Sequence, residues 1–346
     1  MDKIIFTAIL IVFPFGQLVK WNGINLFDVL VLILAVLTFF KKAKYPKWYR
    51  YFIYFILAGL FSLVVNYKLT EIKSVLYLVR LLSYSYVAIY VANFVKKKLA
   101  ISYWLLAVSV AGATFGWLQY LFLPDVRFLK FFGWDDHLYR MVGTFFDPTY
   151  LALIILLGII IAVFTKKTKT FYFLLISLAF TYSRATYLAL GLFLVYKRKF
   201  LAILVFVITV FLLPKMLSEG TNFGRVVSNQ NKILNYVETI KVVKKSPAIG
   251  VGFNNFCLAR ENVDPDSHSC FGSDSSLLLI LATTGVVGFI LFLNFVLHLP
   301  NSSVLISSFL LVLVHSMFAN SLFYPHIMFW LFSLVGLESE VDRKQR

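Results

Sequence analysis

Apolar residues run through this chain in long blocks, and charged residues gather in the gaps between them. The runs are continuous rather than alternating, which argues against the short strands of a transmembrane barrel. They fall near residues 4–19, 25–40, 51–66, 75–94, 101–122, 149–164, 171–182, 185–196, 200–214, 275–297, 302–317 and 323–337. A helix crossing a bilayer needs about 20 apolar residues. The pattern therefore predicts an all-α, polytopic integral membrane protein of about 12 transmembrane helices, forming a single membrane domain over residues 1–346. The first run follows Met1-Asp2-Lys3 without a small-residue cleavage site, so it reads as a retained span rather than a removed signal.

The gaps give the orientation. Basic clusters stand at Lys41, Lys42, Lys44, Lys47 and Arg50; at Lys96, Lys97 and Lys98; at Lys166, Lys167 and Lys169; at Lys197, Arg198 and Lys199; and at Arg343, Lys344 and Arg346. With 12 crossings all of these fall on one side, which the positive-inside rule makes cytoplasmic, together with both termini. The longer polar segments, 123–148 and 215–273, then lie outside. One stretch tests this scheme. Only 27 residues separate Lys169 from Lys197, too few for two full crossings and one too few crossings if read as a single helix. Two short helices broken at Tyr182-Ser183-Arg184 keep both clusters inside and put Arg184 at the tip of the hairpin. Irregular backbone at that depth is tolerated where protein or a wet cavity surrounds it.

Composition agrees: 60% of the 346 residues are apolar and 14% charged, far too few polar groups to cover a soluble domain. The formal charge of +17 does not point to nucleic acid, because the basic residues cluster at the ends of apolar runs and form no stripe on a soluble segment. Within 215–273, Val226, Ile233, Val237 and Ile240 recur at helical spacing among Arg225, Lys232, Lys241, Lys244 and Lys245. Such a helix either lies on the outer membrane face or caps the bundle. The same segment holds Cys257 and Cys270, which form a disulfide in an oxidising compartment or stay as separate thiols.

Candidate chemistry follows from charges in apolar surroundings, which are costly enough to mark function by default. Arg80 shares a helical face with Tyr77 and Tyr84, either buried for a purpose or reaching to the nearby surface. Arg140 stands just before the helix start that Asp147 caps and Pro148 opens. Arg80, Arg140, Arg184 and Arg225 all fall on the outer side, and converging guanidinium groups suit a phosphate-bearing ligand, such as a lipid-linked diphosphate. The candidate acids and bases there are Asp135, Asp136, His137, Asp264, Asp266, His268 and Asp274. Asp135-Asp136-His137 has no specific metal-ligand spacing, and His268 alone reads as a solvated loop residue. No Gly-rich phosphate loop, HExxH pair or nucleophile elbow is present.

Four segments carry a resemblance. Arg140 to Pro148 resembles the Arg-x-x-Gly-x-Phe-x-x-Pro segment of the O-antigen ligase and polymerase family, with Thr149 where that family usually has Asn. Thr181-Tyr182-Ser183-Arg184-Ala185 is similar to its Thr-x-Ser-Arg-Gly/Ala break. Ser246-Pro247-Ala248-Ile249-Gly250-Val251-Gly252-Phe253 resembles its Pro-x-x-Gly-x-Gly segment, and Asp274-Ser275-Ser276-Leu277 with Thr284-Gly285-Val286-Val287-Gly288 the opening of its next span. The pieces run in family order over residues 140–290. Ligases of the family typically have a histidine where this chain has Asp274, so the resemblance leans towards polymerases, with His268 nearby as a substitute.

The resemblance implies glycosyl transfer on the outer face of the bacterial cytoplasmic membrane, in O-antigen, capsule or exopolysaccharide synthesis. The donor would be a glycan on undecaprenyl diphosphate. The acceptor would be another lipid-linked unit for a polymerase, or the lipid A core for a ligase. Arg140, Arg184 and Arg225, with Arg80 as a weaker fourth, are then expected to hold the diphosphate, and Asp274 or His268 to orient or deprotonate the acceptor hydroxyl. No cofactor or metal is expected; partners are membrane lipid and a chain-length regulator or flippase. The competing class is a flippase or transporter for the same glycans, but such carriers often have matched halves and this chain has none.

Overall fold

Described here is a computed structural model, covering residues 1–21, 24–96, 98–214, 219–222, 224–260 and 272–339. Its helices are α1 (Asp2–Val12), α2 (Leu26–Phe39), α3 (Lys47–Val65), α4 (Ile72–Phe94), α5 (Lys98–Phe122), α6 (Pro148–Phe164), α7 (Thr168–Ala179), α8 (Arg184–Tyr196), α9 (Phe200–Leu212), α10 (Val226–Lys245), α11 (Ser276–Leu297), α12 (Ser303–His315) and α13 (Pro325–Glu338). Two strands of two residues each, Lys20–Trp21 and Ile24–Asn25, are the only strands among the described residues. Every apolar block of the sequence carries one helix. α3, α4, α11 and residues 100–122 of α5 are long and apolar enough to cross a membrane, and seven more helices are apolar but shorter. α1 stops at Val12 rather than running to residue 19, because Pro14 opens a 3₁₀ turn and Gly16 reverses the chain with φ +53°.

Two helices form the axis of the bundle. α6 is buried from Leu151 to Ala162, and α13 from Pro325 to Leu337, on all sides. A helix that is apolar all round belongs in such a position. Small residues bring the axis helices close to their neighbours: a Cβ on Gly336 would press on the backbone of Ala88 in α4. At the rim, α9 leaves Phe200, Leu201, Leu204, Phe211 and Leu212 exposed, as lipid-facing residues must be.

Described residues of three basic clusters, 41–50, 166–169 and 197–199, pack against helix ends at one end of the bundle. Lys41 lies over the ring of Phe94, and the backbone of Lys44 is held from both sides by the Asn93 amide. Lys167 lies over Tyr103 at the start of α5, Lys197 over Phe164 at the end of α6, and Trp48 donates to Ser339 beyond α13. At the other end, α10 docks by its polar side. Lys232 and Tyr236 donate to the carbonyls of Phe318 and Met317, and Thr239 to the Ser273 hydroxyl. Val226, Ile233, Val237 and Ile240 point away from the bundle and are exposed. So α10 caps the bundle and also turns an apolar stripe outward.

α11 contains a break that the sequence reading took as one unbroken run. Gly285 has φ +65° and ψ −172° in mid-helix. The loop 247–252 fills the gap: Val251 and Gly252 donate to the carbonyls of Ala282 and Thr283, while Val286 and Val287 donate to those of Pro247 and Ala248. Ser62 of α3 also donates to the Thr283 carbonyl. Unpaired backbone groups among apolar helices cost several kcal/mol each, so this short ladder holds the break in place.

A Cβ at Gly285 would collide with the Ala248 carbonyl and sit at a backbone angle that disfavours it. Gly285→Ala is expected to lower the unfolding temperature in detergent, at a cost of at least about 1–3 kcal/mol. Gly191→Ala, in α8 with open space around it, is expected to be neutral or to stabilise by up to about 1 kcal/mol. Equal effects of the two changes would contradict the interlock.

Candidate functional site

The second break, between α7 and α8, builds the site. α7 ends at Ala179 with Phe180 as its C-cap, Tyr182 turns through φ +53°, and extended Ser183 starts α8. The Thr181 hydroxyl donates back to Leu178, and the hydroxyls of Ser183 and Thr186 pair at 2.9 Å. Polar side chains thus serve the local backbone. At about 1.5 Å per residue the two helices are about 18 and 20 Å long, shorter than a hydrocarbon core of about 30 Å. Both start or end in basic clusters at the opposite end of the bundle.

Carbonyls left over at the break are taken by arginines. Nε and Nη2 of Arg140 both donate to the Thr181 oxygen, at 3.2 and 3.1 Å. Nη2 of Arg225 donates to the Tyr182 oxygen. Arg184, first residue of α8, donates to Oδ1 of Asn229 on α10 at 2.7 Å. The fold therefore places Arg140, Arg184 and Arg225 around this one break. Arg140 and Arg225 are buried, with 6% and 9% of their surface exposed. Among the described residues, no carboxylate lies within salt-bridge distance of Arg140. Burial first, and the Arg225 charge second, push Arg140 down to about 9. His137 turns inward, with Nδ1 3.4 Å from Nη1 of Arg140 and Nε2 buried without a partner. Burial and the two arginines hold its pKa well below the usual histidine range, so it stays neutral. Its neighbours Asp135 and Asp136 point instead into a cavity.

That cavity, about 660 Å³, lies among α2, α4, the 130–136 loop and the starts of α6 and α13. Arg80 is on its wall, and Arg140, Arg184 and Arg225 are not. Nε of Arg80 pairs with Oδ1 of Asp28 at 2.9 Å, and the Tyr84 hydroxyl donates to the same oxygen at 2.6 Å. Arg80 is thus neutralised within the bundle and stands apart from the other three. Tyr150 and Tyr324 stack across the cavity floor, centroids 3.8 Å apart and 9° from parallel. Asp147 joins the two regions: it lines the cavity and lies within electrostatic range of Arg140.

Asp274 sits between α10 and α11, where its N–H donates to Asn235 Oδ1 at 2.8 Å, and within electrostatic range of Tyr150 and Tyr236. His268, Asp264 and Asp266 lie outside the described residues. Cys257 is disulfide-bonded, and Cys270 lies outside the described residues. Sequence reasoning missed Asp28 and treated Asp147 only as a cap. A carboxylate early in one apolar block and an arginine in another were the signal for the Asp28–Arg80 pair.

If Arg140 holds the Thr181 carbonyl through its fork, Arg140→Lys loses one of two donors. The variant is expected to unfold at a lower temperature in detergent, with a loss of about 1 kcal/mol or more. Arg184→Lys, which keeps a donor for the Asn229 side chain of α10, is expected to change stability less. Thermal unfolding of both variants checks the order, and the reverse order would contradict the geometry.

No curated protein matches the chain. Residues 139–293, which span the arginine cluster, both helix breaks and α10, match the family model described as O-antigen ligase, so this part of the chain is similar to that family.

Proposed function

We propose that this chain is a membrane glycosyltransferase that polymerises undecaprenyl-diphosphate-linked oligosaccharide units at the outer face of the bacterial cytoplasmic membrane. The helices are read as 12 crossings with both termini inside, following the spacing of the basic clusters along the sequence. The observation that carries the proposal is the meeting of Arg140, Arg184 and Arg225 at the far end, on a helix break held by backbone bonds.

The chemistry asks for such a place. An acceptor hydroxyl attacks the anomeric carbon, the bond to the diphosphate oxygen breaks, and negative charge grows on the departing lipid diphosphate. Guanidinium groups fixed before the reaction stabilise that charge without reorganising. An arriving anion would also relieve the crowding of Arg140 and Arg225, which no described acid neutralises at Arg140. The arginines can do this without a metal ion. Asp274, or His268 beyond the described residues, orients the acceptor hydroxyl. The ligase reading, with lipid A core as acceptor, is favoured by the description of the matching family model.

Arg184→Ala, inserted at the normal level, is expected to make polymer about 10²–10³-fold more slowly, as for loss of one oxyanion-hole donor. Full-length polymer at the normal rate would overturn the proposal. The lipid-linked species that build up in cells lacking the protein separate the readings. Single repeats exposed on the outer face mean a polymerase, long polymer on undecaprenyl diphosphate means a ligase, and repeats that never reach the outer face mean a flippase. In the purified protein, chelation of divalent ions is expected to leave the rate unchanged; strict dependence on such an ion would contradict the arginine-based mechanism.

A further inference from the structure

The arginine cluster accounts for the leaving group and leaves open where the acceptor's proton goes. Asp147 occupies the junction that this step requires. It lies at the N-cap of α6, one of the two buried axis helices, with Pro148 at the first helical position, so its backbone is fixed. Oδ1 accepts the Thr149 N–H at 2.6 Å, and the carboxylate lines the cavity. Arg140 is in electrostatic range on one side, and the stacked Tyr150 and Tyr324 on the other. The cavity wall combines aromatic rings, Trp134 among them, with carboxylates. That is the chemistry a saccharide meets well: apolar ring faces on aromatics, hydroxyls on acids.

We propose that Asp147 is the catalytic base, taking the proton from an acceptor-sugar hydroxyl seated in this cavity while the donor diphosphate is held at Arg140, Arg184 and Arg225. The inference rests on the diphosphate reading of the arginines and names the acceptor side of the same site. The hydroxyl oxygen forms its bond to the anomeric carbon, the carbon–diphosphate bond breaks, the electron pair leaves with the diphosphate, and the proton passes to the Asp147 carboxylate. Burial, together with the charge of Asp135, holds that carboxyl above the usual aspartate range, against the opposing pull of the Thr149 N–H and Arg140. A raised carboxyl is a better proton acceptor. The other charges facing the cavity are Asp136 and Lys130 from the 130–136 loop, Lys20 before α2, and the Asp28–Arg80 pair across it.

Asp147→Asn separates this role from capping, because asparagine caps a helix as well as aspartate. It is expected to slow turnover about 10²–10⁴-fold, with donor binding and melting temperature unchanged. In the wild type the rate is expected to fall as pH drops through a value above the ordinary aspartate range, because the base must be ionised. That acid limb should vanish in Asp147→Asn, and Asp147→Glu should recover at least tenfold over Asn. Turnover within threefold of wild type in Asp147→Asn would overturn the proposal. So would loss of donor binding or of melting temperature in step with turnover. Arg184→Ala measured alongside keeps the two readings apart. An inactive Arg184→Ala beside an active Asp147→Asn removes only the base; an active Arg184→Ala removes the diphosphate reading beneath it.

Discussion

Main-chain carbonyls released in the middle of an apolar bundle have no water to turn to, and this fold depends on how they are answered. Two such places lie among the described residues. At the break in α11, the loop 247–252 supplies peptide groups and is paired in return. At the break between α7 and α8, the answer comes from side chains: Arg140 takes the Thr181 oxygen and Arg225 the Tyr182 oxygen. The first solution is electrically neutral. The second imports positive charge into a place where positive charge is expensive.

That difference links structure to chemistry. A guanidinium group has five donors, and two aimed at one carbonyl leave others unspent. Arg140 is buried beside Arg225, with no carboxylate in contact among the described residues, and its proton affinity is depressed by burial and by the Arg225 charge. Arg80 shows the contrast. It is also a cation among apolar helices, but it is paired with Asp28, whose carboxylate Tyr84 also bonds, on the cavity wall. The arginines that hold the break are thus also the ones with field to offer a ligand. On the proposed reading, stability and function share the same bonds here, and variants that change both are to be expected.

Much of this was legible in the sequence. Long apolar blocks marked every helix but α10, and the spacing of Lys169 and Lys197 pointed to a pair of short helices broken at Tyr182-Ser183-Arg184, where α7 gives way to α8. The recognisable motifs turned out to be the parts that interlock: Pro247 to Gly252 binds Ala282 to Val287, and Arg140 binds Thr181. What stayed hidden depended on packing between distant elements. The break at Gly285 lies in an apolar run that gives no local sign of it. Asp28 meets Arg80 only after α2 and α4 pack together. Asp147 looked like a simple cap because its exposed side is defined by the 130–136 loop and α13, neither of which its local sequence mentions. On α10, spacing found the apolar stripe, but only the bonds of Lys232, Tyr236 and Thr239 show that the polar side grips the bundle.

The central claim is that the α7–α8 break is a diphosphate site. The most direct measurement is an experimental structure of the protein in a lipid nanodisc, saturated with an undecaprenyl-diphosphate-linked glycan donor. The account predicts the diphosphate within hydrogen-bond distance of Arg140, Arg184 and Arg225, with its sugar towards the cavity at Asp147. A diphosphate bound at Arg80, or at the basic end of the bundle, would contradict it.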